Sequence, residues 1–218
     1  MQNMKVYNVE GQTKEMEWMP EWAAVTYNHE LEVLDMLLHI VRGNVFVDVG
    51  CFIGGFTKIM AYIARKRNGK VHSIDLFKLE NQSALGYIHK DHNVKEIFTR
   101  HMKERGLLEY INVIEGVSWE VSSRFEDNSV DFIFIDADHR YQSVKKDIES
   151  WYPKLKVGGI MAGHDYEFEE YDEKFIDVDG DGDRHHGVIK AVNEFFLDNN
   201  RSLIEGNPYN TIWFHQKC

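Results

Sequence analysis

The sequence predicts an α/β protein: a doubly wound, mostly parallel sheet with helices on both faces. Three observations carry that expectation. Short runs rich in β-branched apolar residues recur at Val45–Val49, Val71–Asp75, Ile111–Glu115 and Val130–Ile135, and such runs suit strands buried on both sides. Stretches with helical spacing lie between them, and alternation of that kind builds a parallel sheet with crossover helices. The first run breaks at Gly50, passes Gly54 and Gly55, and resumes with helical spacing at Phe56, Ile59, Met60 and Ile63. A strand, a glycine turn and a helix form the opening unit of a nucleotide-binding sheet.

The elements follow in order. Residues 1–27 are polar with interspersed large residues, including Trp18, Met19 and Trp22. They suit an arm or lid, or a surface segment over the first helix. From Asn28, read as an N-cap, Leu31, Leu34, Leu37, Leu38 and Val41 mark one helical face, and Gly43 ends that helix. After the helix Gly55–Arg67, Asn68-Gly69 turns the chain into the second strand, which ends in Asp75. A short helix is possible around Ser83–His89. A clearer one runs from Val94 to Arg105, ended by Gly106. Beyond the third strand come Gly116, Val117, Ser118 and Trp119, with a helix over Trp119–Phe125. The fourth strand ends in Asp136-Ala137-Asp138-His139, and a helix spans Tyr141–Tyr152. Gly158-Gly159 turns into a fifth strand, Ile160–Ala162, followed at once by Gly163-His164-Asp165. An acidic insert occupies 167–186, a helix runs over Gly187–Leu197, and Ser202–Ile204 with Thr211–Phe214 form a closing hairpin. The expected organisation is an arm over 1–27 and a single domain over 28–218.

Composition bounds the function. At 218 residues the chain holds one sizeable domain. Its formal net charge of −11 argues against a nucleic-acid partner, which needs a basic face. No apolar run is long enough to span a membrane, and the first residues lack a signal-peptide core. A cytoplasmic protein with a small-molecule substrate is expected; homo-oligomerisation stays open. Cys51 and Cys218 cannot make a disulfide framework, and Cys51 reads as a small packing residue.

The glycine turn discriminates between cofactors. A dinucleotide fingerprint places glycine two residues after the first, so that the backbone can approach the pyrophosphate. Here that position is Phe52, which obstructs a diphosphate and argues against a nicotinamide oxidoreductase. Asp48, Gly50 and Gly54 remain, an acid-x-Gly-x-x-x-Gly pattern. It resembles motif I of the class I S-adenosylmethionine-dependent methyltransferases. An aromatic at Phe52 is similar to the catechol and caffeoyl-coenzyme-A O-methyltransferases. The resemblance implies a seven-stranded sheet with a C-terminal antiparallel hairpin. It implies S-adenosylmethionine as cofactor, with Asp75 accepting from ribose hydroxyls and Val117, Ser118 and Trp119 bordering adenine. Trp119 serves equally as a simple helix cap.

The ends of the fourth and fifth strands carry the chemistry. If the strands are neighbours, their ends lie ~4.8 Å apart, and Asp136 and Asp165 can converge on one hard cation with ligands at ~2.0–2.6 Å. Two such carboxylates repel unless a proton or cation intervenes. The resemblance to metal-dependent O-methyltransferases of the catechol and macrolide-sugar types sharpens this. It implies a divalent cation (Mg²⁺, Mn²⁺ or Ca²⁺) on Asp136, His164 and Asp165, with His139 as general base and Asp138 approaching the cofactor together with Asp136. His164 stands where the macrolide-sugar enzymes have glutamate; histidine suits Mn²⁺, Fe²⁺ or Zn²⁺ better than Mg²⁺. The expected activity is O-methylation of a hydroxylated small molecule, a sugar or natural-product-like acceptor. The rivals are a metal-independent methyltransferase of the same fold and a non-catalytic S-adenosylmethionine-binding protein.

Two further patterns carry less. Asp177–Asp183 copies the start of an EF-hand loop, but Val188 stands at position twelve, so a solvated acidic loop is expected. Asn207-Pro208-Tyr209 resembles the Asn-Pro-Pro-Tyr motif of amino-methyltransferases but lies far from the fourth strand, and a turn is expected there.

Overall fold

A computed structural model describes residues 28–78, 93–167, 169–180, 184–199, 201 and 211–218. Among these, six strands form one sheet in the order β3-β2-β1-β4-β5-β6. They are β1 (Val45–Val49), β2 (Lys70–Asp75), β3 (Ile111–Glu115), β4 (Val130–Ile135), β5 (Leu155–Gly163) and β6 (Trp213–Gln216). The first five are parallel and β6 runs antiparallel to β5. The order reverses between β1 and β4, and such a switch point opens a crevice outside the C-terminal strand ends.

Strand alternation divides the core into two layers. Phe46, Phe132 and Phe134 face one side, where they pack with α1 (Asn28–Ile40), α2 (Gly55–Lys66) and α3 (Val94–Glu104) through Leu34, Leu37, Ile59, Met60 and Phe98. Val47, Val49, Ile133 and Ile135 face the other. There they meet α5 (Tyr141–Trp151) and α6 (His186–Val192) through Ile148, Trp151, Val188 and Val192. The short α4 (Ser118–Val121) adds Val121 to the same layer. Every residue of β4 is buried, and each large side chain buried this way is worth about 1.5–3 kcal/mol.

The opposite sheet edge is clasped by Asp131. Its carboxylate accepts from the backbone N–H groups of Asn44 and Val45, both at 3.0 Å, and from Lys156 Nζ at 2.7 Å. That acid, at the opposite end of β4 from the predicted catalytic run, holds β1 in place at the edge away from the crevice.

The structure corrects several boundaries. The expected seventh strand, Ser202–Ile204, lies outside the described residues, as do the arm 1–27, the helix at Ser83–His89 and Asn207-Pro208-Tyr209. Gly158-Gly159 lies within β5 rather than before it. Gly158 adopts φ 79° and the pairing with β4 slips between Val130 and Phe132, so an irregular strand stands where a turn was expected. The closing strand begins at Trp213 rather than Thr211. The last helix changes pitch at Asn193, where a wider turn runs to Leu197. The helix predicted over Trp119–Phe125 breaks after Val121 into a tighter turn, Ser122–Arg124.

Candidate active site

The glycine turn is built by backbone constraint. Gly50 adopts φ 86°, and a Cβ there would stand 1.8 Å from the carbonyl oxygen of Asp136. The turns after β1 and β4 therefore touch main chain to main chain. Asp136 N–H donates to Val49 O at 2.8 Å and Gly50 N–H to Ile74 O at 2.8 Å, tying the ends of β4, β1 and β2 together. Gly54, at φ 95°, precedes α2 with Met102 Cε 2.5 Å from where a Cβ would sit. Between the glycines, Phe52 is held at φ 44°, a costly backbone state for a bulky residue.

Asp75 supplies the brace. Phe52 N–H donates to its Oδ2 at 2.7 Å and Phe77 N–H to its Oδ1 at 2.6 Å. Phe77 is also left-handed, at φ 51°, so one carboxylate stabilises two strained turns. Burial raises the Asp75 pKa, against the lowering effect of those two donors. Asp48 does not reach the open edge. It is buried on the α2 side of β1, where the Thr57 hydroxyl donates to it, and burial pushes its pKa up to about 7. Its role in the turn is to anchor the first turn of α2.

The ends of β4 and β5 bring four predicted residues together. Ligand-type atoms of Asp136, His164 and Asp165 lie within 4.8 Å of one another. His139 Nε2 is 2.9 Å from Asp165 Oδ2 and 3.6 Å from Asp136 Oδ1. His164 Nδ1 is 2.9 Å from Asp165 Oδ1. Asp165 itself adopts φ 63°, and strain of this kind gathers where side chains must be aimed.

Residues that the sequence reading passed over complete the cluster. Glu30 from α1 faces His164 Nε2 at 3.0 Å and accepts from the Thr211 hydroxyl at 3.0 Å. The insert folds back over the pocket: Asp179 Oδ1 is 3.0 Å from His139 Nδ1, and His185 Nδ1 is 2.6 Å from Glu167 Oε1 and 3.4 Å from Asp165 Oδ1. The acidic loop is solvated as expected, with Asp177 and Asp179 exposed, but Asp179 also reaches inward to His139. The available signal was the run of acids from Glu167 to Asp183, closed by the pair His185-His186. It gave no hint of direction, because the insert has no periodicity that would orient it.

Charge organises the pocket. Burial alone would lower the pKa of His139, but Asp136, Asp165 and Asp179 outweigh it and hold the ring well above its usual value. The same balance raises His164, through Asp165 and Glu30. Burial pushes Asp165 up, yet the two flanking imidazoles hold it well below the carboxylate range. The Nε2 atoms of His139 and His164 are nonetheless buried without a partner in hydrogen-bonding geometry. They are paired by charge and proximity rather than by directed bonds. Convergent carboxylates with orphaned imidazole nitrogens fit a divalent cation on Asp136, His164 and Asp165.

The remaining predicted residues are placed as follows. Asp138 is turned to the start of α5, where it pairs with Arg140 (Nε–Oδ1 2.8 Å) and accepts from the Ser143 hydroxyl at 2.9 Å. Ser118 donates to buried Asp147 of α5. The Trp119 ring lies under Lys146 Nζ at 4.9 Å. Val117 precedes α4 in an extended conformation. Gly50, Phe52, Asp75 and Asp136 thus share the crevice edge and Gly54 is buried against Met102 and Phe98 of α3, while Ser118, Trp119 and Asp138 each contact α5 or the turn leading into it.

Fold and site together define a methyltransferase. A family model described as a methyltransferase domain matches residues 47–166, more than half of the chain, and the chain belongs to that family. Solved structures share the fold at low identity. The O-methyltransferase NovP is 18% identical, with a TM-score of 0.64 over 87% of this chain and 80% of that one. A candidate caffeoyl-CoA O-methyltransferase of Staphylococcus aureus is 16% identical, with a TM-score of 0.68 over 96% and 95%. The O-methyltransferase of Bacillus cereus, solved with S-adenosylhomocysteine, is 18% identical, with a TM-score of 0.63 over 88% and 82%.

The turn fits the cofactor such a family implies. Phe52 and the nearby carboxylates of Asp75 and Asp136 disfavour a diphosphate, whereas a sulfonium is a cation and gains from the same acids. No helix among the described residues is long and apolar enough to cross a membrane.

Proposed function

We propose that the protein is an S-adenosylmethionine-dependent O-methyltransferase that acts, with the help of a divalent cation, on a hydroxylated small molecule such as a sugar or a natural-product-like acceptor. The observation that carries this reading is the convergence of Asp136, His139, His164 and Asp165 beside the glycine turn. The O-methyltransferase names of the proteins of like fold support it.

Bound S-adenosylmethionine would supply an electrophilic methyl group, and a divalent cation would supply charge that lowers the pKa of the acceptor hydroxyl. The chain does the rest. Gly50 keeps main chain close and side chains out, and Asp75 has lone pairs left for ribose hydroxyls beyond those its two backbone donors use. Asp136, His164 and Asp165 fix the position at which the acceptor oxygen is held, and orientation of this kind is a large part of such a rate enhancement. Asp179 binds His139 Nδ1 and leaves Nε2 as the proton-accepting atom. His139 can serve as base only when the acids around it are otherwise neutralised, since they favour its charged form.

The test is methyl transfer from labelled S-adenosylmethionine to a panel of sugars, phenols and glycosides, with and without chelator. Chelator-sensitive transfer to a hydroxyl supports the reading. Chelator-resistant transfer would replace it with a metal-independent enzyme of the same fold. Cofactor binding without transfer to any acceptor would leave a binding protein.

A further inference from the structure

We propose that the insert builds a second cation position, His139–Asp165–His185, which takes an imidazole-seeking divalent ion of the Zn²⁺ type. It lies beside the Asp136–His164–Asp165 position and shares Asp165 with it. The effect on turnover described below rests on the proposed reaction; the binding itself does not.

Ligand-type atoms of His139, Asp165 and His185 all lie within 4.8 Å of one another. Tetrahedral Zn²⁺ with bonds of about 2.0–2.2 Å places its ligands roughly 3.3–3.6 Å apart. His139 Nε2 to Asp165 Oδ2 is 2.9 Å and His185 Nδ1 to Asp165 Oδ1 is 3.4 Å, so small adjustments bring the set to that spacing. The two imidazoles come from separate elements, one from the loop after β4 and one from the end of the insert. They are nonetheless packed with ring centroids 4.6 Å apart.

A second observation points to a ligand. His139 Nε2 is buried and without a hydrogen-bond partner, although a carboxylate oxygen lies within 3 Å. Its other nitrogen is anchored on Asp179 Oδ1 at 3.0 Å. A carboxylate behind one nitrogen with the other turned inward is the arrangement that orients a metal-binding histidine. Glu167, itself 7% exposed, accepts from the backbone N–H of His185 at 3.2 Å and lies 2.6 Å from its Nδ1, so an ion that displaces the proton between them meets a further carboxylate oxygen at the same point.

Ligand type separates the two positions. The Asp136 side supplies two carboxylates and one imidazole, and the His185 side supplies two imidazoles and one carboxylate. Hard Mg²⁺ favours oxygen, whereas imidazole suits Zn²⁺. An ion on the His185 side occupies His139 Nε2, the atom the reaction needs as base. Zn²⁺ should therefore inhibit an enzyme that Mg²⁺ or Mn²⁺ supports.

The experiment begins with the full chain stripped by chelator and titrated with Zn²⁺ against a chromogenic competitor, alongside His185→Gln and Asp136→Asn. We expect wild type and Asp136→Asn to bind Zn²⁺ and His185→Gln to bind it at least about tenfold more weakly. Imidazole ¹⁵N spectra of the wild-type protein provide a check that does not depend on any variant folding: one equivalent of Zn²⁺ should move the His139 and His185 signals together. Unchanged Zn²⁺ affinity in a folded His185→Gln, or a response confined to His164, would overturn the proposal. In methyl-transfer assays, each protein compared with its own Zn²⁺-free rate, Zn²⁺ should inhibit wild type at lower concentration than His185→Gln. Absence of methyl transfer with the binding results intact would count against the reaction and not against the cation position.

Discussion

His139 Nε2 lies 2.9 Å from Asp165 Oδ2, and this contact joins the loop after β4 to the residue that follows β5. The sheet makes it possible. Phe134 and Ile135 pair with Ala162 and Gly163 in parallel register, so the two chains leave the sheet side by side. Gly163 is needed there: a Cβ would stand 2.5 Å from the Trp213 ring. His164 N–H then donates to Ile135 O at 3.1 Å, and the left-handed backbone of Asp165 turns its carboxylate toward His139.

That geometry gives the first prediction. Asp136→Asn or Asp165→Asn should abolish binding of Mg²⁺ or Mn²⁺, read by calorimetry, while far-ultraviolet circular dichroism and S-adenosylhomocysteine binding persist. Asparagine tolerates the left-handed conformation at 165 as aspartate does, so the fold is spared. His139→Ala should keep cation and cofactor but lower turnover about 10²–10⁴-fold. Full activity in His139→Ala would remove it from the mechanism.

The second prediction concerns the cofactor. S-adenosylhomocysteine at about 100 times its Kd should stabilise the protein by roughly 2.7 kcal/mol through linkage, seen as a rise in melting temperature. Asp75→Ala should reduce that rise, since it removes both the ribose acceptor and the brace under Phe52 and Phe77. Gly50→Ala should abolish it, because the new methyl group meets the Asp136 carbonyl. A rise produced instead by a nicotinamide dinucleotide would contradict the assignment.

Much of this site is legible in the chain because its parts sit at strand ends. Asp75, Asp136 and Asp165 each follow an apolar run, and apolar runs of that length identify themselves as buried strands. What was not legible is the closure of the pocket from elsewhere. Glu30 reads as an ordinary acid in the first turn of an amphipathic helix. Asp179, Glu167 and His185 sit in an aperiodic segment, where no repeat reveals which side chains turn inward. Asp48 shows the converse: its motif position is plain in the sequence, but only the packing of β1 on α2 reveals that it points to Thr57 and away from the crevice.

The third prediction tests that closure. Gly187, the second residue of α6, packs so tightly against the catalytic loop that a Cβ would stand 2.3 Å from His139 O, 2.5 Å from Tyr141 N and 2.6 Å from Ile176 O. All three are backbone atoms, so the loop or the insert must move. Gly187→Ala should cost about 1–3 kcal/mol of stability from overpacking. It should also lower turnover by up to about 10²-fold, because a displacement of ~1 Å at the reacting groups has that effect. Cofactor affinity, which depends on β1 and β2, should be unchanged. Equal losses in cofactor binding and turnover would mean a general disruption.

The last prediction concerns pH and stability away from the pocket. Asp147 of α5 is buried and accepts from the Ser118 hydroxyl. Burial pushes its pKa up to about 7 from 3.8, outweighing the lowering effect of Ser118. The folded chain therefore keeps this proton in a range where the unfolded chain has lost it. The group's contribution is fully favourable below about pH 4. It declines as pH rises toward 7 and stays at its least favourable above that, because over this window the native state binds more protons. Asparagine presents an oxygen to the same hydroxyl without a charge to bury. Asp147→Asn should thus be increasingly more stable than wild type as pH rises from 4 to 7, with the gap reaching roughly 1–4 kcal/mol and then levelling off. Denaturant unfolding of both proteins across that range measures the gap directly. A gap that stays constant with pH would show that Asp147 is ionised in the native state, and that solvent or a cation reaches it between α4 and α5.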